Sequence, residues 1–169
     1  MIRNTLPKSL ADNPMLDRWL QFRADGRLRV AVGKVEIGQG ITTALAQIAA
    51  DELDVPLARI DMLSGDTGAA PDEGSTSSSQ SIEIGGASLR LVCAEVRARF
   101  LAEAAAGLGV APEALAIAHG AFTRDGRPTG QSYWTLAPLV GLHVAASGAV
   151  APKPRAAHRV IGRSIPRLD

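Results

Sequence analysis

"GKVEIGQGITTALAQIAADEL" (Gly33–Leu53) joins two different periodicities. Before it, Leu28, Val30 and Val32 alternate with Arg27, Arg29 and Ala31, the period of two expected of a half-buried strand. After Gly40, the residues Ile41, Ala44, Leu45, Ile48, Ala49 and Leu53 recur at helical spacing, with Asp51 and Glu52 outside the stripe. Pro56 stops the helix and drives Val55 extended. The stretch therefore predicts a strand over Leu28 to Glu36, a glycine turn, and a helix. Such a turn is a natural seat for an anion, because the first N–H groups of a helix have no partners within it.

Two nucleotide loops are tested against it. Gly33 and Gly38 have the spacing of a phosphate loop, but Gln39 and Gly40 follow where a lysine and a hydroxyl are required. Gly38 and Gly40 begin a dinucleotide fingerprint, but Thr43 stands at its third glycine. A purely conformational role explains one or two of the glycines. It leaves Gln39, a long amide set where helix N–H groups are expected to be free.

Working outward, Asn13-Pro14 reads as the opening of a helix. Asp25-Gly26 is the turn of a hairpin that leads into the strand. Downstream, Arg59 to Leu63 reads as a short strand. "SGDTGAAPDEGSTSSSQS" (64–81) reads as a long loop without core residues. A second long helix is expected from Ser81 to about Leu108, ended by Gly107 and Gly109. "ALAIAHGAFTRDGRPTG" then reads as a second hairpin and "SYWTLAP" as one helical turn. The fold class predicted is α+β: a mixed sheet with two long helices packed on one face, plus hairpins and an extended C-terminal tail. Residues 1–151 are expected to form one module, with an N-terminal arm over about 1–18, and residues 152–169 a basic tail or linker.

The loop "STSSSQS" (75–81) precedes the second helix start much as the glycine turn precedes the first. Two such starts can form a composite anion cradle, or the second can be a solvated loop capped by Ser81. Gly85-Gly86 early in that helix costs about 1 kcal/mol per residue against alanine. A ligand or a packed element is therefore expected to approach the backbone there.

Composition narrows the classes. Of the 169 residues, 46% are hydrophobic and 4% aromatic, so the core must be largely aliphatic. The net charge of +1 argues against a dedicated nucleic-acid binder. That charge is unevenly spread: residues 31–83 carry two basic and nine acidic side chains. An anion bound at the turn would therefore rely on amides and hydroxyls. The single cysteine, Cys93, excludes a disulfide framework or a four-cysteine cluster within these residues, and reads as a buried structural thiol. His119, His143 and His158 are scattered without ligand spacing, so no metal site is expected. No apolar run approaches the roughly 20 residues of a membrane span. A cytoplasmic chain is expected, periplasmic only if exported with a partner.

Taken together and in order, "GKVEIGQGITTALAQIAADELDVPLARIDMLSGDT" and "PDEGSTSSSQSIEIGGASLRLVCAEVR" resemble the molybdopterin-binding domain of the xanthine oxidase/aldehyde oxidase family. The branch they resemble comprises large subunits of isoquinoline 1-oxidoreductase, nicotinate dehydrogenase and related aldehyde dehydrogenases. The flanks "SLADNPMLDRWLQF", "SYWTLA" and "PKPRAAHRVIGRSIPRLD" agree with it.

The resemblance implies cofactor-binding roles for Gly38, Gln39 and Gly40 toward a pterin. It implies roles for Thr76, Ser77, Ser78, Ser79 and Ser81 toward its phosphate and dinucleotide. It implies molybdopterin cytosine dinucleotide as cofactor, with [2Fe-2S] clusters on a partner subunit. No catalytic residue is carried over, because the family's catalytic glutamate lies in a segment that these residues do not match. Partners are therefore expected: the remaining large-subunit region as a separate chain, and an iron–sulfur subunit. A small aldehyde or N-heterocycle would be the substrate of the complex. The alternatives are a non-catalytic binding or assembly module that keeps the fold without cofactor, and a stand-alone phosphate binder. The basic tail from Lys153 to Arg167 is expected to lie against a partner rather than in solvent.

Overall fold

A computed structural model describes residues 6–168. In chain order it contains α1 (Lys8–Asp12), β1 (Leu20–Phe22), β2 (Leu28–Val32), α2 (Ile41–Leu53), β3 (Ile60–Ser64) and α3 (Ala87–Leu108). These are followed by β4 (Leu115–Ala118), β5 (Ala121–Arg124), β6 (Arg127–Ser132) and α4 (Tyr133–Leu136). The class is α+β, with the strands in two sheets of three.

The first sheet is mixed. β1 pairs antiparallel with β2 through the turn at Asp25-Gly26, with Phe22 opposite Leu28. β2 pairs parallel with β3, from Leu28 opposite Ile60 to Val32 opposite Ser64. A parallel pair needs a crossover, and α2 supplies it. The switch from period two to helical period therefore marks a βαβ unit.

β2 ends four residues earlier than its alternation predicts. Gly33 to Glu36 leave the sheet because their polar groups are taken elsewhere. Gly33 N donates to the Glu73 carboxylate, Val35 N donates to the Thr76 hydroxyl, and Lys34 O accepts from the Ser64 hydroxyl.

The second sheet is an antiparallel meander, one strand longer than the expected hairpin. His119-Gly120 and Asp125-Gly126, all at positive φ, make its two turns. Asn13 closes α1 instead of opening a helix, and Leu16–Arg18 forms a short 3-10 turn. The Asn13 amide is held by the long loop: Nδ2 donates to Asp72 O, and Oδ1 accepts from Asp72 N. Of the expected N-terminal arm, residues 1–5 lie outside the described residues.

The core is aliphatic, as the composition requires. Leu45, Ala46, Ala49 and Leu53 of α2 and Leu89, Val92, Val96 and Phe100 of α3 pack with Leu20, Leu28 and Val30 of the first sheet. The few aromatics gather at the far end of this core. Tyr133 stacks on Phe22 at 4.8 Å and meets Phe100 and Phe122 edge-on. Cys93 is fully buried in α3. Burial, and then the charge of Glu52, push its thiol well above the ordinary range, so it sits as a neutral thiol.

The tail from Pro152 is extended and seated on this chain's own helices. Lys153 N donates to the Glu52 carboxylate, while Arg159 N, Val160 N and Ile161 N donate to that of Asp51. Gln47 of α2 donates to Val160 O and Arg163 O, and Thr43 Oγ1 accepts from Leu168 N. A partner is therefore not needed to place it.

At the open end of the first sheet, Arg27 forms a forked pair with Asp61, and Arg23 adds a second cation at 3.2 Å. The hydrogen bond from Arg27 holds the Asp61 carboxyl below the usual carboxylate range. A lowered folded-state value contributes stability that is present above the unfolded value and lost as pH falls through the folded one. The stability difference between wild type and Asp61→Asn should thus be full at pH 5–7 and shrink below about pH 4. Urea unfolding across that range checks it. A difference that grows on acidification would contradict the assignment.

Candidate functional site

The two runs singled out in the sequence meet. Gln39, Gly40, Thr76, Ser77, Ser78, Ser79 and Ser81 line one open cleft of about 440 Å³, with Ile37, Ile41, Ala44 and Ile82 as its apolar lining. Gly38, also expected to bind, is not among the residues that line it.

The glycine side has a fully structural logic. Gly38 (φ 101) and Gly40 (φ 75) occupy left-handed conformations with open space where a Cβ would stand. They are glycines for dihedral reasons. Gly33 is a glycine for space, because a Cβ there would lie 2.3 Å from Pro71 O and 2.9 Å from Glu73 N. All three glycines are thus explained without a ligand, more than the sequence suggested.

The start of α2 also differs from expectation. Thr42 N of its first turn and Gly40 N at its N-cap are not left free: the Glu36 carboxylate accepts from Gly40 N at 2.8 Å and Thr42 N at 3.1 Å, and from Gly38 N of the loop at 2.9 Å. A carboxylate on a helix N-terminus is favoured by the helix dipole. Gln39 turns back on its own loop, accepting from Ile37 N and donating to Val35 O. Arg167 of the tail completes the arrangement, donating to Gly38 O at 3.1 Å and facing Glu36 at 3.4 Å.

The hydroxyl side is strained. Ser78 (φ 52) and Ser79 (φ 60) are both left-handed, a conformation that costs an ordinary residue about 1–2 kcal/mol. The helix beyond begins as a π turn over Ser81–Gly86 with no side-chain cap, so Ser81 does not play the capping role. π segments recur at functional sites because they displace the chain from regular helix. The paired glycines within it face packed elements. A Cβ on Gly85 would lie 2.7 Å from Glu73 Oε1, and one on Gly86 would lie 3.1 Å from Ile48 Cδ1 of α2. This selects the packed element over the ligand as the reason for Gly85-Gly86.

Sequence reasoning gave no part to Lys34 or Glu73, took Arg167 only as part of a basic tail lying against a partner, and took Glu36 as the end of the strand. The signal for Glu36 was present in its spacing to Gly38 and Gly40. The other three act across long separations that spacing does not show. Among the described residues no group of three His, Cys, Asp or Glu side chains is placed to hold a metal ion. No helix among them is long and apolar enough to cross a membrane.

The cleft's donors are neutral amides and hydroxyls, four isoleucine and alanine side chains add apolar lining, and its charged neighbours, Glu36 and Arg167, are paired with each other. That set suits a flat heterocycle with hydrogen-bonding edges better than a triphosphate with magnesium.

Residues 7–158 match the molybdopterin cofactor-binding domain family. The chain is 37% identical over 150 residues to a nicotinate dehydrogenase subunit of Pseudomonas putida, covering 86% of this chain and 12% of that protein. It is 40% identical over 103 residues to the gamma subunit of the 6-hydroxypseudooxynicotine dehydrogenase complex of Paenarthrobacter nicotinovorans, covering 60% of this chain and 13% of that protein. It superimposes on reconstituted CO dehydrogenase from Oligotropha carboxidovorans with a TM-score of 0.62 at 25% identity, over 75% of this chain and 16% of that one. The chain thus spans about one eighth of the length of these curated relatives. Its sequence and its fold together make it a member of the molybdopterin cofactor-binding domain family of molybdenum oxidoreductases.

Proposed function

We propose that the cleft holds the pterin part of a molybdenum cofactor in its cytosine dinucleotide form, and that this chain serves as the cofactor-binding part of a molybdenum hydroxylase. The observation that carries the reading is the meeting of Gln39 and Gly40 with Thr76, Ser77, Ser78, Ser79 and Ser81 around one cleft. Gly38 shapes the loop through its positive φ. Glu36 fills the start of α2 with negative charge, which turns a phosphate toward the serine side. The amide edge of the Gln39 loop is left to the neutral ring. When bound, the cofactor supplies the redox centre that takes electrons from the substrate. What this chain's residues do is bind and orient it.

In this reading the catalytic glutamate and the substrate pocket, for a small aldehyde or N-heterocycle, come from a partner chain. The iron–sulfur clusters come from another subunit. The setting is cytoplasmic, or periplasmic when the complex is exported. Residues 152–168, anchored on α2, continue the module and carry Arg167 to the glycine loop.

The test is chemical. The native complex containing this chain is purified, its pterin oxidised to a fluorescent product, and its nucleotide released by acid. Pterin with cytidine monophosphate is the expected result. Another nucleotide, or none, would remove the dinucleotide form only. A complex without pterin would support a second reading, the non-catalytic assembly module. The inward-turned Gln39 and the capped start of α2 are consistent with that module.

A substitution separates binding from folding. Ser79→Gly removes left-handed strain, and stability should hold or rise by up to about 1 kcal/mol. Pterin retention should nevertheless fall, because a hydroxyl of the cleft is lost. Urea unfolding and pterin content measure the two halves, and unchanged retention would take Ser79 out of the site.

A further inference from the structure

The lysine missing from the nucleotide-loop position has a counterpart five residues earlier. Lys34 is among the most deeply buried side chains, 1% exposed. A buried ammonium must be fully partnered. Its Nζ donates to two backbone carbonyls of the long loop, Glu73 O at 2.7 Å and Ser75 O at 2.8 Å. Around it the same two segments are joined twice more. Gly33 N donates to Glu73 Oε2 at 2.8 Å, and Val35 N to Thr76 Oγ1 at 2.8 Å. The Ser64 hydroxyl fixes Lys34 O to the end of β3. Glu73 and the Lys34 stem both lie over Gly85, where a Cβ would stand 2.7 Å from Glu73 Oε1 and 3.4 Å from Lys34 Cγ.

The two walls of the cleft leave this cluster side by side. Ile37 to Gly40 follow from Val35, and Thr76 to Ser81 follow from Ser75. Ser77, Ser78, Ser79 and Gln80 are exposed, so no apolar burial holds the serine wall in place. Its position is set at its root by hydrogen bonds, of which the charge-assisted pair from Lys34 is the strongest kind.

We propose that Lys34 is a positioning residue of the cleft, a buried ammonium that clamps the root of the serine wall to the root of the glycine wall and so sets the cleft's width. What the cleft holds rests on the cofactor reading above. The clamp itself belongs to this chain alone.

The experiment uses the native complex with Lys34→Met, a replacement of similar length without charge. Amide hydrogen exchange over residues 74–81 should accelerate about tenfold or more, as expected for losing hydrogen bonds to a charged group. Exchange in β1, β2, β3 and α2 should stay within about twofold of wild type. Pterin should be lost on gel filtration at a temperature where circular dichroism is native, a result that a role in global stability alone would not give. Unchanged exchange over 74–81 in the folded variant overturns the proposal, as does faster exchange with pterin fully retained. Should Lys34→Met not fold, Lys34→Gln keeps a polar end without the charge or the reach to both Glu73 O and Ser75 O. Locally faster exchange then supports the clamp, and its absence overturns it. Absence of pterin from the wild type would instead defeat the cofactor reading, leaving the clamp to be judged by exchange.

Discussion

Replacing Glu52 with alanine should destabilise the chain by about 3–5 kcal/mol, the cost of removing one partner from a buried ion pair. At this chain length that corresponds to a melting temperature lower by about 6–20 °C. Glu52 is fully buried near the end of α2. Its Oε1 accepts from Arg90 Nε at 2.9 Å and its Oε2 from Arg97 Nη1 at 2.9 Å. Both oxygens also lie within reach of Lys153 N, at 3.2 and 3.1 Å. Alanine leaves two guanidinium groups beside an apolar core, the Arg97 side chain only 14% exposed. It also frees the start of the tail, although Arg90 Nη2 still donates to Lys153 O. Two readouts should therefore move together. Calorimetry should show the lower melting temperature, and trypsin should cut faster after Arg155 and Arg159. Glu52→Gln keeps the shape and one acceptor oxygen, so its cost should be smaller. A loss below about 1 kcal/mol for alanine would mean that the arginines find other partners.

The same residue shows where sequence reading stopped. Asp51 and Glu52 fall outside the apolar stripe read from the sequence. They are 3% and 0% exposed. The partners that make their burial tolerable are tail N–H groups about a hundred positions away and arginines of another helix. Periodicity registers the sign of a side chain's polarity and carries no information about such distant partners. For that reason the strand, helix and strand from Leu28 to Leu63, α3, the Asp25-Gly26 turn and the α+β class were legible, whereas the docking of the tail was not. The end of β2 was missed for a related cause. Val35 is β-branched but out of phase with Leu28, Val30 and Val32, and its N–H is claimed by Thr76 in a loop with no periodicity of its own.

The site was legible in a different way. Composition left the serine run open between cradle and loop, and the resemblance to a family named its residues. Their meeting around one cleft is a result of folding that neither stretch shows alone. The glycines, which drew attention first, turn out to be needed by the backbone. Their presence fixes the turn's shape, and the ligand argument passes to Gln39 and the serines.

Gly33→Ala should be the most damaging single methyl group added to this turn, costing about 3 kcal/mol, the upper end of overpacking. The added carbon would stand 2.3 Å from Pro71 O and 2.9 Å from Glu73 N. Both are backbone atoms, so no rotamer change relieves the clash. Neither side is free to move. Val32 O accepts from Gly65 N, and the Ser64 hydroxyl donates to Lys34 O, so Gly33 is pinned to the end of β3. Opposite it, Arg18 donates to Ala70 O, and Asn13 holds Asp72 from both sides. The loop must therefore swing as a whole, carrying the serine wall away from the Gln39 loop. Gly38→Ala is the control. It has open space around its Cβ position and only the strain of φ 101, about 1–2 kcal/mol. Urea unfolding should rank Gly33→Ala well below Gly38→Ala. Of the two, Gly33→Ala should also accelerate amide exchange over residues 71–81. Equal losses in the two variants would mean that dihedral strain, rather than the packing of loop against strand, governs this turn.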